Sequence, residues 1–161
     1  MQARDIMNRD VESVAPDDEV SAVLRKLAGV DYSGFPVVDD DGIVVGIITE
    51  HDLVGLFEPQ DRTLWIPIGF PPFLESMTYG IDISWDELDI GVDLLRTASK
   101  PIESVMSSPA VTVSPETEFD EILKLLADED RDINRLPVVE DDVLLGIIAR
   151  QDVLRALTKQ N

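Results

Sequence analysis

Two stretches of the chain carry the same succession of apolar and polar positions. After Pro16 an acidic triplet, Asp17-Asp18-Glu19, precedes Val20, Val23, Leu24 and Leu27, which fall on one face of a helix. After Pro115, Glu116 and Glu118 precede Phe119, Ile122, Leu123 and Leu126 at matching intervals. Carboxylates at a helix start suit the positive end of its dipole. A short apolar run follows each helix, Phe35-Pro36-Val37-Val38 or Leu136-Pro137-Val138-Val139. Next come an acidic turn (Asp39-Asp40-Asp41-Gly42 or Glu140-Asp141-Asp142) and a second apolar run, Ile43 to Thr49 or Val143 to Ala149. Two β-prone runs joined by a tight polar turn predict a hairpin. Asp52 and Asp152 then open a closing helix, Leu53 to Phe57 or Val153 to Leu157. The order predicted in each copy is β, α, β, β, α.

The landmarks repeat in register. Met7 matches Met106, Pro16 matches Pro115, Gly46-Ile47-Ile48 matches Gly146-Ile147-Ile148, and Asp52 matches Asp152, six residues past the glycine in both copies. So many ordered coincidences mark an internal duplication. One unit of about 50 residues leaves a sheet face uncovered, so the two are expected to pack sheet to sheet as a pseudo-symmetric pair with two equivalent clefts. The chain divides into a first motif over 1–57, an insert over 58–100 and a second motif over 101–161. Within the insert, Pro67, Pro71 and Pro72 forbid a helix through an aromatic stretch that includes Trp65, Phe70 and Phe73. Ser84-Trp85-Asp86-Glu87 then reads as a capping box opening a helix over about 85–98. The insert is either a structural lid or a dimer or partner surface.

Charge narrows the partners. With 33 acidic and 13 basic residues the chain has a formal net charge of −20, which repels nucleic acid and anionic membrane surfaces. The acidity is either a solvated, salt-adapted surface or a docking face for a basic partner. An anionic ligand would need its cations placed locally, and there are only four lysines and nine arginines to place. The chain has no cysteine, so thiolate metal sites and cysteine nucleophiles are excluded. No apolar run approaches the ~18 residues of a membrane span, and a cytoplasmic protein is expected.

Both copies resemble the CBS motif, named from cystathionine β-synthase, and the pair resembles a stand-alone Bateman module. The strings that carry the resemblance are Phe35-Pro36-Val37-Val38-Asp39 with Gly46-Ile47-Ile48-Thr49-Glu50-His51-Asp52, and Ile133-Asn134-Arg135-Leu136-Pro137-Val138-Val139 with Gly146-Ile147-Ile148-Ala149-Arg150-Gln151-Asp152. The resemblance implies an α+β fold of two β-α-β-β-α motifs. It also implies a non-catalytic regulatory module that binds an adenosine ligand (AMP, ADP or ATP, with S-adenosylmethionine or NAD as further candidates). Such pairs associate as homodimers and signal to a separate protein, here unknown.

By the same resemblance, cleft 1 would hold ribose and phosphate with Thr49 and Asp52, with His51 beside them, and adenine against Met106, Val111, Ile133 and Asn134. Cleft 2 would use Ala149 and Asp152, with Met7, Glu12, Tyr32 and Ser33 as the adenine slot and Arg135 as a phosphate partner. A carboxylate can accept from both ribose hydroxyls, and a threonine hydroxyl can donate to phosphate. Ala149 departs from the pattern, and a lost charge-assisted hydrogen bond costs about 1.5–3 kcal/mol. Arg135, Arg150 or Arg131 could compensate. Unequal sites are therefore expected, with Thr49 and Asp52 the stronger. The plainer readings are that the two aspartates cap helices, that Arg135 is solvated, and that His51 is an exposed helix residue.

An enzyme acting on nucleotides has little support. The sequence holds no Gly-rich P-loop, no Gly-x-Ser-x-Gly elbow and no histidine-carboxylate cluster at metal spacing. Asp39-Asp40-Asp41 is expected to be solvated rather than to hold Mg²⁺. A structural adaptor without ligand is the remaining alternative.

Overall fold

The structure, a computed structural model, describes residues 1–57 and 95–159. Its elements are α1 (Ala3–Ile6), α2 (Val20–Ala28), β1 (Gly34–Val38), β2 (Val44–Thr49), α3 (Glu50–Gly55), a 3-10 turn (Ile102–Ser104), α4 (Phe119–Ala127), β3 (Arg135–Glu140), β4 (Val143–Ala149) and α5 (Arg150–Lys159). The expected insert lies outside the described residues except at its end, where residues 95–98 are helical.

The helices form where the apolar spacing places them. Val20 and Val23 of α2 are buried with Leu24 and Leu27 packed beside them, and Phe119, Ile122 and Leu126 of α4 are buried beside Leu123. The hairpins match pair for pair: Phe35 faces Ile48 and Val37 faces Gly46 in one, Leu136 faces Ile148 and Val138 faces Gly146 in the other, each with a bulge at the second valine. Their turns differ. Asp39 Oδ1 accepts from the backbone N–H groups of Asp41 and Ile43, and Gly42 takes φ +83°. The second turn puts Asp141 and Asp142 at φ +50° and +65°, the pair of positive values that a two-residue type I′ turn requires.

Two expectations need correction. The leading strand of each copy shrinks to one residue: Val14 bridges Val37, and Val113 bridges Val138, in parallel. Val14 N–H donates to Pro36 O at 3.1 Å and Val38 N–H donates to Val14 O at 2.9 Å. Pro36 is tolerated inside β1 because its carbonyl is all that this short bridge needs from it. The closing helices also begin earlier than Asp52 and Asp152, at Glu50 and Arg150, because residues 49 and 149 occupy the cap positions.

What joins the copies is an exchange of their leading segments. Asn8 pairs with Ile147 of β4 through bonds of 2.8 and 2.9 Å, and Ser107 pairs with Ile47 of β2 through bonds of 2.9 and 3.0 Å. Ala3, with Ile6 and Met7, packs in the core of the second copy, whereas Ile102, with Val105 and Met106, packs in the core of the first. The hairpin tips meet where Ile43 bridges Val143. Each core is thus completed by the other half of the duplication. Neither half closes its core alone.

Candidate ligand-binding clefts

Each hairpin ends on a helix start, and there the two copies diverge. In the first, Thr49 and Asp52 form a capping box. Asp52 N–H donates to Thr49 Oγ at 3.2 Å, while Asp52 Oδ2 accepts from Thr49 N–H at 3.0 Å and from the Thr49 hydroxyl at 2.9 Å. Asp52 is therefore the third residue of the helix, not its cap, and capping accounts for Thr49 as well as Asp52. Both of these accepted bonds fall on Oδ2. In the second copy Ala149 N–H donates to Asp152 Oδ2 at 2.8 Å, half of the same box. The other oxygen, Oδ1, stands 3.6 Å from Arg155 Nη1.

Arg135 is the cation at the seam. Its Nε donates to Ser33 Oγ at 2.9 Å, and its guanidinium carbon lies 5.4 Å from the centre of the Tyr32 ring. Burial pulls the guanidinium below the ordinary arginine value, opposed by the negative charge of Asp152 and by Tyr32 and Glu50. It remains charged at any physiological pH. A half-buried cation from the second copy therefore faces a hydroxyl and an aromatic ring of the first. Tyr32 is held in turn, edge-on to Phe35 with ring centroids 6.3 Å apart, and Lys26 Nζ lies 5.1 Å from the centre of the Phe35 ring. Glu12 joins this chain of contacts through Lys26 at 3.9 Å.

Of the residues expected in cleft 2, the structure brings Arg135, Tyr32, Ser33 and Asp152 together. Met7 lies against β4, its Sδ 2.6 Å from where a Cβ on Gly146 would stand. Glu12 pairs with Lys26, and among the described residues no hydrogen bond or ion pair ties it to the others. For cleft 1, Met106 takes the matching place against Gly46. Ile133 is buried in the second core, Asn134 is half-buried, Val111 is exposed, and His51 is exposed on the first turn of α3. Among the described residues no hydrogen bond or ion pair ties these five to Thr49 or Asp52. Of the three arginines expected to compensate for Ala149, Arg135 is the one at the seam; Arg131 pairs with Asp128 at 3.3 Å, and Arg150 is exposed at the start of α5.

A cavity of about 440 Å³ opens beside Asp152, between α1 and α5, with Asp5, Ile6, Arg155 and Lys159 in its walls. Sequence reasoning missed these residues and Glu50. Arg155 and Lys159 were readable, because they follow Asp152 at helical intervals of three and seven. Asp5 and Ile6 were not, since only the exchange of leading segments carries them there. Among the described residues no three histidine or acidic side chains gather at metal-binding distance, and no helix is long and apolar enough to cross a membrane.

The sequence profile of the CBS domain matches residues 3–58 and 102–159. The chain belongs to the CBS-domain family. Among similar proteins, the uncharacterized protein MJ1426 of Methanocaldococcus jannaschii is 29% identical over 158 residues, covering 98% of this chain and 91% of that one. The chloroplastic CBS domain-containing protein CBSX1 of Arabidopsis thaliana is 30% identical over 151 residues, covering 91% of this chain but only 59% of its own length. The same fold recurs in the CBS-pair protein CBSX2 of Arabidopsis thaliana, with TM-score 0.68, 25% identity and coverage of 99% of this chain and 97% of that one. Two CBS motifs and a shared seam are thus the frame within which the paired helix starts operate.

Proposed function

We propose that this CBS pair is a non-catalytic regulatory module that binds an adenine nucleotide (AMP, ADP or ATP) at the seam between its motifs and reports occupancy to a separate protein. The observation that carries the reading is Arg135. In a chain of net charge −20, a half-buried guanidinium of the second copy bonds Ser33 and lies against the Tyr32 ring of the first, within the electrostatic reach of Asp152. A carboxylate for ribose and a cation for phosphate, on a seam rather than a free surface, are the parts that nucleotide recognition needs. CBSX2, of the same fold, has been crystallised in complex with AMP.

Occupancy would be felt across the seam. The Arg135–Ser33 bond links the two motifs, so a phosphate that draws the guanidinium away changes what restrains one motif against the other. Val54 on α3 and Leu154 on α5, at equivalent places in the duplication, are 65% and 62% exposed, which supports self-association through the closing helices. The test is a thermal-shift panel of AMP, ADP, ATP and adenosine. A ligand held at 100 times its dissociation constant stabilises by about 2.7 kcal/mol, so at least one nucleotide should raise the melting temperature by several degrees. No shift from any of them at millimolar concentration would leave a structural adaptor in place of a sensor.

A further inference from the structure

Resting on that reading, we infer that the two clefts are not alternatives of one kind: the second, at Asp152, takes a phosphate-bearing ligand, and the first, at Asp52, takes none, so the chain binds a single nucleotide whose affinity depends on its phosphate. The duplication permits the comparison place by place. Arg135 pairs with Ala149 in β3–β4 at the register where Gly34 pairs with Thr49 in β1–β2. Arg155 follows Asp152 by three residues, as Gly55 follows Asp52. Arg135 and Arg155 thus both have glycines as their counterparts in the first copy.

The first copy also cannot regain the seam arginine. A Cβ on Gly34 would come within 2.5 Å of Ile48 O and 2.9 Å of Thr49 Cα, both backbone atoms that cannot yield. The charges that do lie beside Asp52 in the sequence, Glu50 and the only histidine, His51, supply no fixed cation. Conversely, Arg155 is two-thirds exposed and free to turn from Asp152 Oδ1 toward a phosphate, and Lys159 stands one turn further along α5 at the wall of the cavity.

Isothermal titration of the intact protein with AMP and with adenosine tests this. The expected result is one AMP site per chain and AMP affinity at least about tenfold above that for adenosine, the increment of one charge-assisted hydrogen bond. Asp152→Asn should abolish that site, Asp52→Asn should leave AMP affinity within about twofold, and Arg135→Gln should erase the preference for AMP while leaving adenosine binding in place. Far-ultraviolet circular dichroism of each variant separates lost binding from lost folding, and the stoichiometry of the unmodified protein needs no variant. Two equal AMP sites per chain, or AMP binding lost in Asp52→Asn and kept in Asp152→Asn, overturns the inference and leaves nucleotide binding standing. No binding of AMP, ADP, ATP or adenosine removes both.

Discussion

Exchanging residues 49 and 149 tests the capping asymmetry from both sides. In Thr49→Ala the first copy loses the hydroxyl that accepts from Asp52 N–H at 3.2 Å and donates to Asp52 Oδ2 at 2.9 Å, leaving only the Thr49 N–H bond to Oδ2. That remainder is what the second copy has already, in the 2.8 Å bond from Ala149 N–H to Asp152. Loss of a threonine cap costs about 1 kcal/mol. In Ala149→Thr the acceptor carboxylate already stands in place at the third helical position, so the new hydroxyl completes a box and should return about 0.5–1 kcal/mol, somewhat less than the loss because threonine fixes a rotamer that alanine lacks. For a chain of this size these changes correspond to about 2–4 °C down and about 1–3 °C up in melting temperature. Urea unfolding without nucleotide, followed by circular dichroism, gives both values and keeps ligand effects out. A stability loss in Ala149→Thr, with no matching loss in Thr49→Ala, would show that these hydroxyl positions do not act as caps.

Two further substitutions probe the exchange of leading segments. Gly46→Ala would drive a Cβ to 2.5 Å from Met106 Sδ and 2.8 Å from Ser107 O, and it should cost about 1–3 kcal/mol by overpacking. Gly146→Ala should cost less in the same urea titration, since the backbone oxygen there, Asn8 O, stands 3.0 Å away and the flexible Met7 can move. Ile102→Ala removes a fully buried side chain that the second half contributes to the first core, and should destabilise by about 2–5 kcal/mol. If the halves were independent units, loss at Ile102 would leave most of the first hairpin's hydrogen-exchange protection intact; the exchanged core predicts that it falls.

Most of the fold was legible because duplication supplied two readings of one pattern. Helical spacing at Val20, Val23, Leu24 and Leu27 and the valine pairs after Pro36 and Pro137 placed α2, α4 and both hairpins. What stayed hidden involved partners distant in sequence. Nothing in the local pattern of Ala3 or Ile6 reveals that they complete the opposite core, since α1 is four residues long and its period cannot be read. The leading strand expected in each copy is reduced to the single-residue bridges at Val14 and Val113, because how many residues pair depends on the hairpin edge lying alongside, which the local pattern does not state. At the clefts, Asp52 and Asp152 stood out by their spacing, and the family resemblance already put Arg135, Tyr32 and Ser33 in one cleft; what the fold adds is the direct bond from Arg135 Nε to Ser33 Oγ, between residues 102 apart.

The weighting of the two clefts turns on which atom a phosphate needs. Sequence reasoning favoured the first, because Thr49 keeps a hydroxyl that Ala149 lacks. In the folded chain that hydroxyl already serves Asp52 on both its donor and acceptor sides, so offering it to a phosphate means giving up one bond of the capping box. The net gain is then the difference between two ordinary hydrogen bonds, each about 0.5–1.5 kcal/mol. The Arg135 guanidinium has donors to spare beyond Nε, and a bond from a charged donor to a charged acceptor is worth about 1.5–3 kcal/mol. On a surface as acidic as this one, the approaching anion must also overcome repulsion from the rest of the protein, which a neutral hydroxyl does nothing to offset and a fixed cation does. On the proposed reading charge outweighs the hydroxyl, and the copy that carries Ala149 is the one expected to bind phosphate.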